Sequence, residues 1–384
     1  MMKKIWIYFA ISSLLSCSSG KNRIYKEDSN AALQHILDKN CSHKETTVIG
    51  VSLTVISPEL NIDFSNSCGF DSLEKTSLVK VEQPFRIASL TKVFVASAIL
   101  RLYENGLLSL DDSISAYISQ EHITILRDGG YDPDKITIRH CLSHRSGLYD
   151  YAVGGPEYIE VASKDPSKRW TRTEQVQFAM EYGKPHATPG VEEHYSDTGY
   201  VLLGEIIENV NQLGLAKSLR QLLKFDKLGM SATYLESLEK RPDGLLPKVK
   251  RYMGEIDASD WDNSIDLYGG GGLVSNTHDL TVFLQALFNG KVFEKDTTLD
   301  VMLLKMGYGD RSGVLPAQRL GFTSIIGKKS GVEVYLHSGF WGTVFMHIPA
   351  YNCSIALNNT YDGNSDVLQQ TIDYVLAKGK NKKS

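Results

Sequence analysis

Five cysteines in 384 residues, none of them in a Cys-x-x-Cys pair, leave no support for a dithiol redox enzyme or a zinc ribbon. Long apolar runs are missing as well. The apolar stretch near the start, Ile5 to Leu15, falls well short of the roughly 20 residues that a membrane-spanning helix needs. Neither sign of charge is in excess: 41 Lys and Arg face 45 Asp and Glu, a formal net charge of −4. Loss of Lys3 and Lys4 with a cleaved leader would take this only to −6, which gives no reason to expect nucleic acid as a partner. The run Gly269-Gly270-Gly271-Gly272 lacks the Lys-Ser/Thr of a phosphate loop and the spacing of a dinucleotide fingerprint, so a close backbone approach is its expected use. His140 and His144 are four apart and could meet one metal ion. No glutamate follows His140, as the zincin helix requires, and neither metal nor organic cofactor is expected.

The apolar share is 42% and the charged share 22%, enough to bury a substantial core in one large domain or two joined lobes. Met1-Met2-Lys3-Lys4, the apolar stretch and Ser16-Cys17 read as an export signal. Leu14-Leu15-Ser16-Cys17 resembles a bacterial lipobox, which implies cleavage before Cys17 and lipidation of that residue. The alternative is an ordinary signal peptide with a coincidental cysteine. Residues 1–16 are thus expected to be a lipoprotein signal and 17–29 a polar tether. The protein is expected to be exported and membrane-anchored, facing the periplasm or the cell surface. Cys41, Cys68, Cys141 and Cys353 remain, and Cys41 with Cys68 is the favoured pairing of the three possible.

Residues 31–39 read as a helix, and Thr47 to Ile56 and Leu60 to Phe70 as a β-hairpin around Ser57-Pro58-Glu59. Ser89 to Tyr103 is helical and apolar on most sides, ending at Asn105-Gly106, which predicts a helix at the centre of the fold. Helical segments with Gly/Pro loops fill 107–264, whereas the last hundred residues supply β-rich stretches and a final helix, 367–377. The expected fold class is α/β of the α+β kind. Its antiparallel sheet is built from N- and C-terminal segments flanked by helices, with an inserted all-helical lobe. The expected hydrolase body covers 30–378, split into an α/β lobe (30–106 with 265–378) and a helical lobe (107–264), with 379–384 a solvated basic tail.

Ser-x-x-Lys begins at Ser18, Ser72, Ser77, Ser89 and Ser237, but only Ser89 opens a buried helix. Residues three apart on a helix share a face with Cβ atoms about 5–6 Å apart, so Lys92 can reach the Ser89 hydroxyl. A serine hydroxyl is a weak nucleophile until a base takes its proton. Tyr195, in a loop-like stretch before an apolar helix, is the tyrosine expected to help; Asp197 follows it. Leu336-His337-Ser338-Gly339 ends a β-like stretch whose edge could offer N–H groups to a substrate carbonyl. Taken singly, each has a plain alternative: a helix cap at Ser89, a packed tyrosine at Tyr195, a surface histidine at His337.

In this order and spacing, Ser89-Leu90-Thr91-Lys92, Tyr195-Ser196-Asp197 and His337-Ser338-Gly339 resemble the penicillin-recognising serine hydrolases. That family includes class C β-lactamases, D-alanyl-D-alanine carboxypeptidases, D-aminopeptidases and related esterases. The likeness runs over roughly 47–376 and includes His144-Arg145-Ser146-Gly147-Leu148, Pro189-Gly190 and Leu228-Gly229-Met230. It implies a β-lactamase/transpeptidase-like fold and acyl transfer to Ser89, with Lys92 its activating partner and Tyr195 the proton shuttle. It also implies an oxyanion hole from the backbone of Ser89 and Phe340, and substrate contacts from Asp197, His337, Ser338 and Gly339. Two departures stand out. Asp197 replaces the usual asparagine, and His337 the lysine common in β-lactamases. Both argue for a hydrolase of D-amino-acid peptides or esters, with a β-lactamase or a non-catalytic peptidoglycan sensor as the alternatives. The partner in each case is a small peptide, ester or β-lactam.

Overall fold

A computed structural model of the chain describes residues 28–42, 48–304, 317–327, 330–361 and 366–383. The expected signal 1–16, Cys17 and the tether up to residue 27 lie outside the described residues. Seven antiparallel strands form the main sheet, in the order Ile62–Gly69, Gly50–Ser57, Cys353–Asn359, Thr343–Ile348, Glu333–Gly339, Thr323–Ile326 and Ala317–Gln318. The N-terminal hairpin therefore joins the C-terminal strands, Gly50–Ser57 lying in register with Cys353–Asn359 (Leu53 opposite Leu357).

Alternation along the strands builds two cores, because successive side chains point to opposite faces. Val334, Leu336, Val344, Met346, Ile355 and Leu357 face one way, onto the antiparallel helices Ser29–Ser42 and Val367–Lys383. Tyr335, Phe345 and Ala356 face the other, into a larger core with the helices Thr91–Glu104 and Thr277–Phe288. Phe94 stacks on Phe283 with ring centroids 4.1 Å apart and meets Phe345 edge-on at 6.4 Å. Thirteen of the fourteen residues of Thr91–Glu104 are buried, so this helix is wrapped on all sides.

The last helix continues past residue 377 to Lys383 because its end finds partners: Lys378 bonds the Ser29 hydroxyl and Lys382 the Glu59 carbonyl. Cys41 and Cys68 form a disulfide that ties the first helix to strand Ile62–Gly69, while Cys141 and Cys353 are buried thiols. A small second sheet joins Phe85–Arg86, Leu273–Ser275 and Tyr234–Leu235. Its strands, two or three residues long, have no periodicity to read in sequence. They bring the glycine run beside the start of the Ser89 turn.

Candidate active site

The chain leaves Phe85–Arg86 and turns sharply at Ala88, whose φ of 48° is left-handed. Ser89 sits in the 3-10 turn Ala88–Leu90, and the α-helix begins only at Thr91. No side chain caps that helix, so Ser89 is not the N-cap that a bland reading would make it. Its Oγ instead accepts a hydrogen bond from the Tyr195 hydroxyl at 2.7 Å and one from Lys92 Nζ at 3.1 Å. Ser89 and Tyr195 are half-buried; Lys92 is completely enclosed.

Lys92 has three acceptors for its three N–H bonds: Ser89 Oγ, a carboxylate oxygen of Asp197 in a very short contact, and the Gly270 carbonyl at 2.6 Å. An ammonium so saturated has no lone pair with which to receive a proton. The glycine run supplies the third acceptor by lying directly on the helix Asp197–Asn211. A Cβ on Gly269 would stand 2.3 Å from the Tyr200 carbonyl, and one on Gly270 2.9 Å from Asp197 Oδ1. The expected close approach is therefore present, and its product is a carbonyl aimed at Lys92.

Asp197 occupies the first turn of its helix, behind the Ser196 N-cap, where the positive end of the helix dipole favours a carboxylate. Two further carboxyls lie close to it, one buried and one half-buried. Asp150 accepts hydrogen bonds from the amides of Ala152 (2.7 Å), Val153 (3.0 Å) and Asp197 (3.1 Å). Burial, reinforced by the Asp197 charge, pushes its carboxyl up to about 7. Asp266 is raised to about 6, again chiefly by burial. The buried Tyr151 hydroxyl, close enough to these three carboxyls to feel their charge, has no hydrogen-bond partner among the described residues.

His144 adopts φ 55° and stacks at 4.4 Å on the Tyr195 ring. Its Nδ1 accepts from the Ser196 amide at 3.1 Å, so the proton sits on Nε2. Burial and then the Lys92 charge hold it well below the ordinary histidine range. Lys92 itself lies 4.9 Å from the centre of the Tyr195 ring. The tyrosine is thus flanked by a fixed cation and a neutral imidazole.

The strand Glu333–Gly339 closes the other side. His337 points from the face shared with the Ser89 helix, and its Nδ1 donates to the Ser338 carbonyl at 2.8 Å. Burial, with Lys92 nearby, lowers it to about 4, so it is a neutral acceptor at Nε2 and not a cation. A Cβ on Gly339 would lie 2.3 Å from the Ile87 carbonyl; the strand end touches the serine turn. That carbonyl also accepts from Thr343 Oγ1 at 3.1 Å. Phe340 follows, half-buried, in the turn that Gly342 N closes onto Gly339 O at 3.2 Å.

Ser89, Lys92, Tyr195 and Asp197 therefore meet through direct bonds, with His337, Ser338, Gly339 and Phe340 at the adjoining strand end. His140 is placed apart from this group as part of a capping box with Thr137. Tyr151, Tyr158 and Trp261 pack into the core; Tyr158 lies 4.5 Å from Trp170. Sequence reasoning missed Asp150, Asp266 and the part played by His144. Asp150, a charged residue between Tyr149 and Tyr151, was the visible signal.

Comparison with known proteins gives a consistent picture. The sequence model of the family described as Beta-lactamase matches residues 42–377. Penicillin-binding protein 4* of Bacillus subtilis is 27% identical over 61% of this chain and 51% of its own length. D-alanyl-D-alanine-carboxypeptidase/endopeptidase AmpH of Escherichia coli is also 27% identical, over 65% of this chain and 57% of its own. The chain thus spans little more than half the length of these two relatives. The D-amino acid amidase from Ochrobactrum anthropi SV3, solved with L-phenylalanine, superposes with a TM-score of 0.75 at 26% identity, covering 93% of this chain and all of that one.

Proposed function

The chain belongs to the beta-lactamase family and is a serine hydrolase of that fold; from this premise we propose that it forms an acyl-enzyme at Ser89 and hydrolyses D-amino-acid peptides or esters. The observation that carries the assignment is the Ser89 hydroxyl bonded at once to Tyr195 and Lys92, 2.7 and 3.1 Å away. Tyr195, as phenolate, takes the Ser89 proton while Oγ attacks the substrate carbonyl carbon. The Lys92 ammonium holds the negative charge on the tyrosine and does not act as the base, because its three donors are engaged. Backbone N–H groups of Ser89 and Phe340 receive the oxyanion. The C–N or C–O bond then breaks, and Tyr195 gives its proton to the departing amine or alcohol. Water attacks the acyl ester by the reverse path, releasing the acid and restoring Ser89.

The neutral His337 favours D-amino-acid amides and esters, which need carry no free carboxylate, over β-lactams, which do. A fixed cation at that position would grip a free carboxylate with charge-assisted bonds, which an uncharged imidazole cannot supply. Two relatives whose names specify D-amino acids support the same choice. Export and a lipid on Cys17 complete the reading. They are supported by residues 1–17 and by the Cys41–Cys68 disulfide, a bond at home in oxidising compartments.

The test is a panel of D-alanyl-D-alanine peptides, D-amino-acid amides, p-nitrophenyl esters and a chromogenic cephalosporin, with Ser89→Ala as control. Ser89→Ala is expected to lose about a thousandfold or more of kcat. Parent-level turnover by that variant would remove the assignment, and faster turnover of the cephalosporin than of peptide or ester would make the protein a β-lactamase. Palmitate incorporation in growing cells, lost in Cys17→Ala, tests the anchor.

A further inference from the structure

The segment His144-Arg145-Ser146-Gly147-Leu148 contributes no group to the proton transfers at Ser89. It follows the short helix Ile138–Leu142 and runs beside residues 186–194, which lead into Tyr195. Three backbone bonds join the two stretches: His186 N to Gly147 O at 3.0 Å, Gly190 N to Arg145 O at 2.7 Å and His194 N to His144 O at 2.8 Å. Gly147 permits so close an approach. Its φ is 73°, and a Cβ there would stand 2.2 Å from the Ala187 carbonyl.

His144 makes the contacts nearest the chemistry. Its carbonyl accepts from the residue before Tyr195, and its Nδ1 from the residue after, the Ser196 amide, at 3.1 Å. Its ring stacks on the tyrosine ring with centroids 4.4 Å apart, and the Tyr200 ring lies 5.1 Å away. The residue is only 2% exposed. The Ser196 side chain is occupied in capping the next helix, accepting from the Gly199 amide at 3.3 Å. The Ser196 amide itself precedes that helix and is buried, so it needs an acceptor from elsewhere, and the imidazole supplies one. One residue thus holds Tyr195 by its ring and by both of its chain neighbours.

We propose that His144 is a positioning residue for the acyl transfer: by accepting the Ser196 amide at Nδ1 and backing the Tyr195 ring, it sets the tyrosine hydroxyl against Ser89 Oγ. Nδ1 can accept only while it carries no proton, and burial with the Lys92 charge keeps the ring neutral. The inference rests on the reading of Tyr195 as the base, but the placement of its hydroxyl can be measured independently of turnover.

The experiment compares His144→Asn, His144→Gln and His144→Phe, each alone and combined with Tyr195→Phe, in steady-state hydrolysis of a p-nitrophenyl ester. Crystal structures of the single variants accompany the kinetics. Asparagine places an oxygen where histidine has Nδ1 and tolerates the left-handed backbone of this position, φ 55°. The glutamine oxygen lies where Nε2 does and misses the Ser196 amide, while phenylalanine keeps the stacking but offers no acceptor. A displacement near 1 Å costs about a hundredfold, so His144→Gln and His144→Phe should lower kcat by about 30–100-fold with KM within about twofold, and His144→Asn should stay within about tenfold of the parent. Tyr195→Phe removes the hydroxyl that is being positioned, and on that background the same substitutions should cost less than about twofold. Equal losses on the two backgrounds, the mark of a merely structural role, would overturn the proposal. So would an asparagine variant no better than the glutamine one, a comparison that stands even where His144→Phe does not fold. In the His144→Gln crystal, Tyr195 Oη should stand more than about 3.5 Å from Ser89 Oγ, against 2.7 Å in the parent. An unchanged distance overturns the proposal. Full turnover by Ser89→Ala would instead remove the acyl-enzyme reading, and that crystallographic distance alone would then decide this one.

Discussion

At the residue scale, the site is a question of who carries the proton. Tyr195 is the only side chain bonded to Ser89 Oγ, among the described residues, that can receive one, since Lys92 is saturated. Tyr195→Phe should therefore lower kcat by about 10²–10⁴-fold with little change in KM, read from steady-state kinetics on an ester. Asp150 makes a second prediction. Its folded pKa of about 7 lies above the ordinary aspartate value of 3.8, so the fold binds a proton that the unfolded chain has released. Its stabilising share is complete below about pH 4 and is lost as pH rises through 7. Asp150→Asn cannot ionise and gives up one acceptor at every pH. The Tm advantage of the parent over this variant should shrink as pH rises from about 4 to 8; a constant difference would mean that Asp150 is ionised throughout. The Ser89–Lys92 pair was legible because helix spacing fixes which side chains share a face, and Tyr195 because its motif resembles that of a known family. Asp150 and Asp266 were not. Asp150 comes from an irregular loop and Asp266 from a single 3-10 turn, and no periodicity says that such a carboxyl will be drawn beside a lysine more than fifty residues away in sequence.

At the element scale, the contact between the Glu333–Gly339 strand and the Ser89 turn decides how the oxyanion donors are spaced. Gly339→Ala would drive a methyl group to within 2.3 Å of the Ile87 carbonyl and force the two apart. Displacements near 1 Å cost about a hundredfold in rate. The expected outcome is a loss of kcat/KM of that order, with circular dichroism like that of the parent. Elements with strong alternation or a long apolar face were readable, including the hairpin at 50–69, the helix at 91–104 and the β-rich C-terminal region. Their ends shifted where tertiary partners intervened. The first helix gained a turn beside its disulfide, and the last was extended by the bonds of Lys378 and Lys382. The Phe85–Arg86 strand, two residues long, could be found only through its partner Leu273–Ser275.

For the whole molecule, Cys41–Cys68 fastens a terminal helix to the sheet edge across a separation of 27 residues. By chain entropy alone, a loop of that size should add about 3–4 kcal/mol. Reduction should lower the denaturation midpoint accordingly while ester turnover under native conditions persists, because the bond lies outside the site. Such a molecule opens cooperatively, and Lys92 offers a way to watch it do so. Its amine is enclosed, and each proton points at an acceptor. Acylating reagents that modify the surface lysines within minutes will find no electron pair there. Adducts at Lys92 should accumulate only as fast as the fold itself opens, so the residue at the centre of the site doubles as a clock for unfolding, read by peptide mass spectrometry.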